Sequence, residues 1–147
     1  LRVEQQDWST VTLEAHAHGV ARRAATAAPT TTTRVLYERG DKSTAATPAT
    51  TVKMTLTSSR ATFAISRADH GAARAWAVRL HLPLGRSVVK ATVDGVDVTV
   101  HHHEPLGEGD AFAPFGGRGT RPAPLGGSVA EVAVARGAES RTIELLF

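Results

Sequence analysis

The chain is predicted to be all-β: an antiparallel β-sandwich of about eight strands with one long Gly/Pro-rich loop, read as a single domain over residues 1–147. Three observations predict it. Apolar and polar residues alternate at period two in several short runs. Glycine, proline and turn residues punctuate those runs at the intervals a sandwich needs. No amphipathic helix alternates with them, which disfavours a parallel α/β fold.

The elements follow in order. Residues 8–15 place Val11 and Leu13 between threonine and glutamate, a strand. Residues 16–33 are read as a loop with one helical turn, because the alanines after Ala21 favour helix while Gly19, Pro29 and the threonines from Thr30 to Thr33 bound it closely. A short strand covers 33–38 and ends at Tyr37. Residues 51–57 put Val52, Met54 and Leu56 on one face and Lys53 and Thr55 on the other; 61–66 follow with Phe63 and Ile65. The intervening Ser58-Ser59-Arg60 is hairpin length. The clearest strand is 74–82, with Trp76, Val78, Leu80 and Leu82 on one face opposite Arg79 and His81, ended by Pro83, which has no N–H for the next ladder bond.

Residues 88–93 and 96–100 flank Asp94-Gly95. A type I′ turn needs positive φ at both central residues, which aspartate tolerates and glycine prefers, so this is the strongest hairpin signal in the chain. Residues 104–127 form a Gly/Pro-rich excursion of 24 residues, too long for a plain connector. Strands over 129–135 and 141–147 close the chain, with Ile143, Leu145 and Phe147 facing one way.

Composition sets the outer bounds. A chain of 147 residues can bury roughly 68–70% of its unfolded surface, enough for one core. Aromatics are scarce, so the core is expected to be built from thin, largely β-branched strands. The net charge of +3 is modest, and fourteen arginines against three lysines form no stripe with interleaved aromatics, which argues against nucleic acid. There is no cysteine, hence neither a disulfide nor a thiolate metal site. Asparagine is absent, which excludes N-linked glycosylation within the segment. No apolar run approaches the roughly 20 residues of a membrane span. The chain opens Leu1-Arg2-Val3-Glu4, without methionine or a signal-like segment, and is expected to be part of a longer polypeptide.

His101-His102-His103-Glu104 is the visible metal candidate, since neutral imidazole and carboxylate suit zinc. Neighbouring strand residues point to opposite faces, so His101 and His103 could share a cation and His102 could not. A third ligand would have to come from elsewhere, His81 or His70 for instance, and the reading favours no bound metal. His16 and His18 likewise share a face and are read as a surface pair. Arg39-Gly40-Asp41 spells a tripeptide that some integrins read, yet Asp41 has a plain turn role in bonding nearby amides. Gly116-Gly117-Arg118-Gly119 lacks the Gly-Lys-Ser/Thr end of a phosphate loop. Glu38 with Asp41 and Asp94 with Asp97 are the paired carboxylates near enough in sequence for glycoside hydrolysis, and each lies in a turn where it has a structural use. No catalytic residue and no cofactor is expected. Trp8, Tyr37, Trp76 and Phe115 could stack on sugar rings, but Trp76 alternates with Val78 and Leu80 and is read as core. Phe112 and Phe115, in the long loop, are the expected interaction residues.

Leu36-Tyr37-Glu38 with Gly40, the strand from Arg74 to His81, the hairpin Ala91-Thr92-Val93-Asp94-Gly95 and the closing Arg141-Thr142-Ile143-Glu144-Leu145 together resemble the distal C-terminal β-sandwich of glycoside hydrolase family 31, the α-glucosidase-like enzymes. The resemblance covers about half the chain. It departs from the family at Arg39, where the first aspartate of an acidic pair would stand, and at Asp94, where the family's hairpin carries asparagine. The resemblance implies a parent enzyme that processes terminal α-linked sugars with retention, through two aspartates on an upstream barrel that this chain lacks. It implies a non-catalytic accessory role, packing against that barrel, and a secretory or extracellular setting. The alternative expectation is a free-standing carbohydrate-binding or adhesion module, with carbohydrate as partner.

Overall fold

The computed structural model describes residues 9–17, 27–39, 46–68, 72–103 and 127–147. They form ten strands and, among the described residues, no helix: β1 Thr10–His16, β2 Thr30–Arg39, β3 Ala46–Leu56, β4 Arg60–Arg67, β5 Ala75–His81, β6 Lys90–Val93, β7 Val96–Val98, β8 His101–His103, β9 Val129–Val134 and β10 Ser140–Leu146. The strands make two sheets, a four-stranded one in the order β1-β5-β9-β8 and a six-stranded one in the order β2-β3-β4-β10-β6-β7. The predicted all-β sandwich is therefore what the chain adopts.

One apolar cluster joins the two sheets. Trp76, Val78, Leu80, Val132 and Val134 enter it from the smaller sheet, and Val52, Phe63, Ile65, Ile143 and Leu145 from the larger. The period-two pattern puts these residues there: along β5 the buried positions are Trp76, Val78 and Leu80, and the half-buried ones between them face outward. Among the described residues, Leu80, Val78, Val132, Ile143 and Leu145 are the largest side chains sealed completely from solvent.

Turn chemistry fixes the hairpins. Asp94 and Gly95 have φ of 52° and 81°, the two positive values a type I′ turn requires, and the turn joins β6 to β7 with Val93 opposite Val96. Between β3 and β4, Thr57 N donates to Arg60 O at 2.8 Å, while Arg60 N donates to the Thr57 hydroxyl at 3.0 Å. That threonine oxygen caps the turn from inside.

Four details differ from the sequence reading. Thr30–Thr33, taken as the boundary of a loop, is instead the start of β2: threonine is β-branched, and here it is held by a ladder in which Thr31 lies opposite Thr55. The strand expected over 51–57 begins instead at Ala46, and its ladder with β2 shifts register between Leu36 and Tyr37, where Pro48 has no N–H to offer. The strand expected over 96–100 stops at Val98, and the chain then crosses to the other sheet, where His101–His103 pairs with β9. Finally, β1 and β5 are parallel neighbours, Thr10 beside Ala75 through His16 beside His81, within an otherwise antiparallel fold.

Candidate metal centre on the outer sheet face

Among the described residues, the outward side of the four-stranded sheet collects four imidazoles, those of His16, His81, His101 and His103. Residues in lateral register point to the same face, so the ladders themselves define two rows. One row runs Glu14, Arg79, Glu131, His101 across β1, β5, β9 and β8; the next runs His16, His81, Val129, His103. Each strand contributes two of these positions through i, i+2 spacing: Glu14 with His16, Arg79 with His81, Val129 with Glu131, and His101 with His103.

Arg79 organises the first row. Its Nε donates to Glu131 Oε2, and its Nη1 lies 3.5 Å from Glu14 Oε1. The bond to Glu131, reinforced by the charge of that carboxylate, raises the Arg79 pKa above its already high value. In return the Arg79 bond holds the Glu131 carboxyl below the usual range against the opposing effect of desolvation, and His103 and His101 add a smaller effect in the same direction. His103 Nε2 stands 3.7 Å from Glu131 Oε2.

In the second row, His16 and His81 are stacked, with ring centroids 4.2 Å apart and planes 24° from parallel. With Glu14, one residue pair along the same ladder, they are the one trio of metal-capable side chains among the described residues, their ligand atoms all within 4.8 Å of one another. Glu14 and His16 are exposed and His81 is half-buried.

The sequence-predicted residues are distributed as follows. His101 and His103 do share a face, as period-two geometry demands, and His102 opposes Ala130 in the other set. His81, named as a third ligand for them, sits two strands away across Val129 and stacks on His16 instead. With strands about 4.8 Å apart, that places the backbones of β5 and β8 nearly 10 Å from each other. Trp76 is buried, as expected. His18, His70, Trp8, Asp41, residues 116–119, and both Phe112 and Phe115 lie outside the described residues. Glu14, Arg79 and Glu131 were missed. Their signal was the repeated spacing of Glu14-x-His16 and Arg79-x-His81, uninformative until β1 and β5 are known to be neighbours.

Of the paired acids, Asp94 and Asp97 have structural partners, while Asp41 and the Glu38 side chain lie outside the described residues. Arg141 Nη1 lies 2.6 Å from Asp94 Oδ2, and Lys90 Nζ 3.0 Å from Asp97 Oδ1. A general acid needs its pKa raised, and that of Asp94 is lowered, first by the backbone N–H of Thr142 and then by Arg141. Fold and site together define a class of protein: an all-β sandwich with a sheet face lined by histidine, glutamate and arginine. No protein-family model matches the chain, and no curated protein matches it.

Proposed function

We propose that the chain is a non-catalytic accessory domain of an α-glucosidase-like glycoside hydrolase of family 31, packing against a catalytic barrel supplied elsewhere in the same polypeptide. The observation that carries this reading is the order of the resembling segments within one sandwich. Leu36-Tyr37-Glu38 lies at the end of β2, the Arg74 to His81 segment contains β5, Val93-Asp94-Gly95 is the β6–β7 turn, and Arg141 to Leu145 belongs to β10. A domain that works by packing also needs apolar surface to offer. Leu84 and Val89, in the β5–β6 connection, are 81% and 78% exposed, and Val96, on the hairpin, 67%.

The test uses the native polypeptide: an antibody to this segment on a native gel, overlaid with a fluorogenic α-glucoside. A band several-fold heavier than 15.5 kDa that also cleaves the glucoside supports the reading. A small, inactive band overturns it.

A second reading, a free-standing carbohydrate-binding or adhesion module, is favoured by the exposure of Tyr37 on the edge strand β2. Saturable glycan binding by the chain alone, lost in Tyr37→Ala, would put this reading first.

A further inference from the structure

We propose that Glu14, His16 and His81 form a binding site for a divalent first-row transition cation of the zinc type, clipping β1 to β5. The inference is independent of the accessory-domain reading.

The ligand set is the first support. Two imidazoles and a carboxylate form a donor combination that suits zinc, and softer thiolate ligands are not available in a chain without cysteine. The second support is backbone geometry. His16 and His81 are lateral neighbours in a parallel ladder and Glu14 precedes His16 by two residues, so all three project from one face without any loop having to fold over. Distance is the third. At zinc–ligand lengths of about 2.0–2.2 Å, two tetrahedral ligand atoms stand about 3.4 Å apart. The three atoms here are already within 4.8 Å of one another, so the closing movement is about 1.5 Å, within reach of side-chain rotation on a fixed backbone.

The neighbouring cation competes only weakly for Glu14. Arg79 is the cation that competes for Glu14, but it donates through Nε to Glu131 and meets Glu14 only at 3.5 Å, through Oε1. Glu131 thus draws Arg79 toward β9. Exposure of Glu14 and His16 gives an entry path from solvent and leaves the fourth coordination position to water. The His101–His103 tract is not part of the centre, because Val129 separates His103 from His81.

The test is calorimetric titration of Zn²⁺ into the full 147-residue chain, paired with the visible absorption of Co²⁺ and with thermal melting. One equivalent of Zn²⁺ should bind, Co²⁺ should give the intense visible bands of a four-coordinate site, and the unfolding midpoint should rise with Zn²⁺. His16→Ala and Glu14→Gln should each weaken binding by at least about 10–100-fold, since even losing a ligand's supporting partner costs that much. The double variant His101→Ala/His103→Ala should bind as the original does. His16 and Glu14 are exposed, so their variants are expected to fold, and melting without metal verifies it. Absence of saturable binding, unchanged affinity in His16→Ala, or loss confined to the His101/His103 variant would each overturn the proposal.

Discussion

Arg141 Nη1 donates to Asp94 Oδ2 at 2.6 Å, tying the last strand to a hairpin turn 47 residues away in sequence. The other oxygen of the same carboxylate accepts the backbone N–H of Thr142 at 2.8 Å. Asp94 N in turn donates to Thr142 O, so side chain and backbone of one residue both grip β10. Asp94 therefore does two things: it takes the positive φ of the turn and it fastens the turn to the sheet.

The two roles separate by substitution. Asp94→Asn keeps a residue that tolerates positive φ and an oxygen that can accept from Thr142, and loses the charge together with the Arg141 bond, because the amide NH2 cannot accept. Asp94→Ala loses the tolerance and both bonds. The alanine variant should be destabilised by about 1–2 kcal/mol and the asparagine variant by less than half of that, as read from urea denaturation midpoints at constant m. Equal losses would mean that the ion pair alone matters.

Asp94 and Glu131 make stability depend on acid. Both carboxyls are lowered in the folded chain, Asp94 chiefly by the Thr142 N–H and Glu131 chiefly by the Arg79 bond. A group with a depressed folded pKa stabilises the fold fully above its unfolded value, about 3.9 for aspartate and 4.3 for glutamate, and that stability is lost as pH falls through the folded value. The melting temperature should therefore decline as pH is lowered below about 5. Arg79→Met should flatten part of that decline, because Glu131 then titrates nearer its ordinary range. An acid limb identical in this variant would rule out the Arg79–Glu131 bond as a source.

Period-two alternation made the faces legible. Val52, Met54 and Leu56, and Trp76, Val78 and Leu80, point inward as the pattern requires, and Asp94-Gly95 announced its turn through the backbone demands of the I′ geometry. What the pattern does not contain is adjacency. Nothing in the alternation of β1 says that it lies parallel to β5, since that pairing depends on the whole sandwich closing. The grouping of Glu14, His16 and His81 inherits that blindness: period two pairs His16 with His18, while the residue it stacks on is His81, across the ladder. The threonine run failed for another reason. Thr30–Thr33 reads equally well as punctuation or as edge strand, and only a partner such as β3 decides between them.

Burial separates two aliphatic positions, Leu80 and Val89. Leu80 is completely enclosed between the sheets, whereas Val89 is 78% exposed. Leu80→Ala removes packed methyl groups and leaves a cavity, so it should cost about 2–5 kcal/mol. Val89→Ala removes surface that water already touches, and should stay within about 0.5 kcal/mol. Denaturation curves of the two variants test this directly, and a large loss at Val89 in the chain alone would mean that the β5–β6 connection is packed and not open to a neighbour.

Gly127 tests the close approach that lets β9 begin where it does. A methyl group at this position would sit well inside contact with the carbonyl oxygens of Leu82 and Pro83 and with the Pro83 carbonyl carbon, all of them backbone atoms that cannot swing aside. The neighbouring bond from Leu82 N to Ser128 O at 2.9 Å holds the two segments at that separation. Gly95 offers the contrast: its φ of 81° strains any side chain, but nothing lies within 4 Å of an added methyl, so the cost there is conformational only. Gly95→Ala should lose about 1 kcal/mol. Gly127→Ala should lose more, about 2 kcal/mol or above, because it must separate β9 from the end of β5. Amide exchange supplies the decisive readout: protection at Leu82 should fall in Gly127→Ala and remain in Gly95→Ala, and the reverse pattern would show that the clash is relieved without opening the sheet.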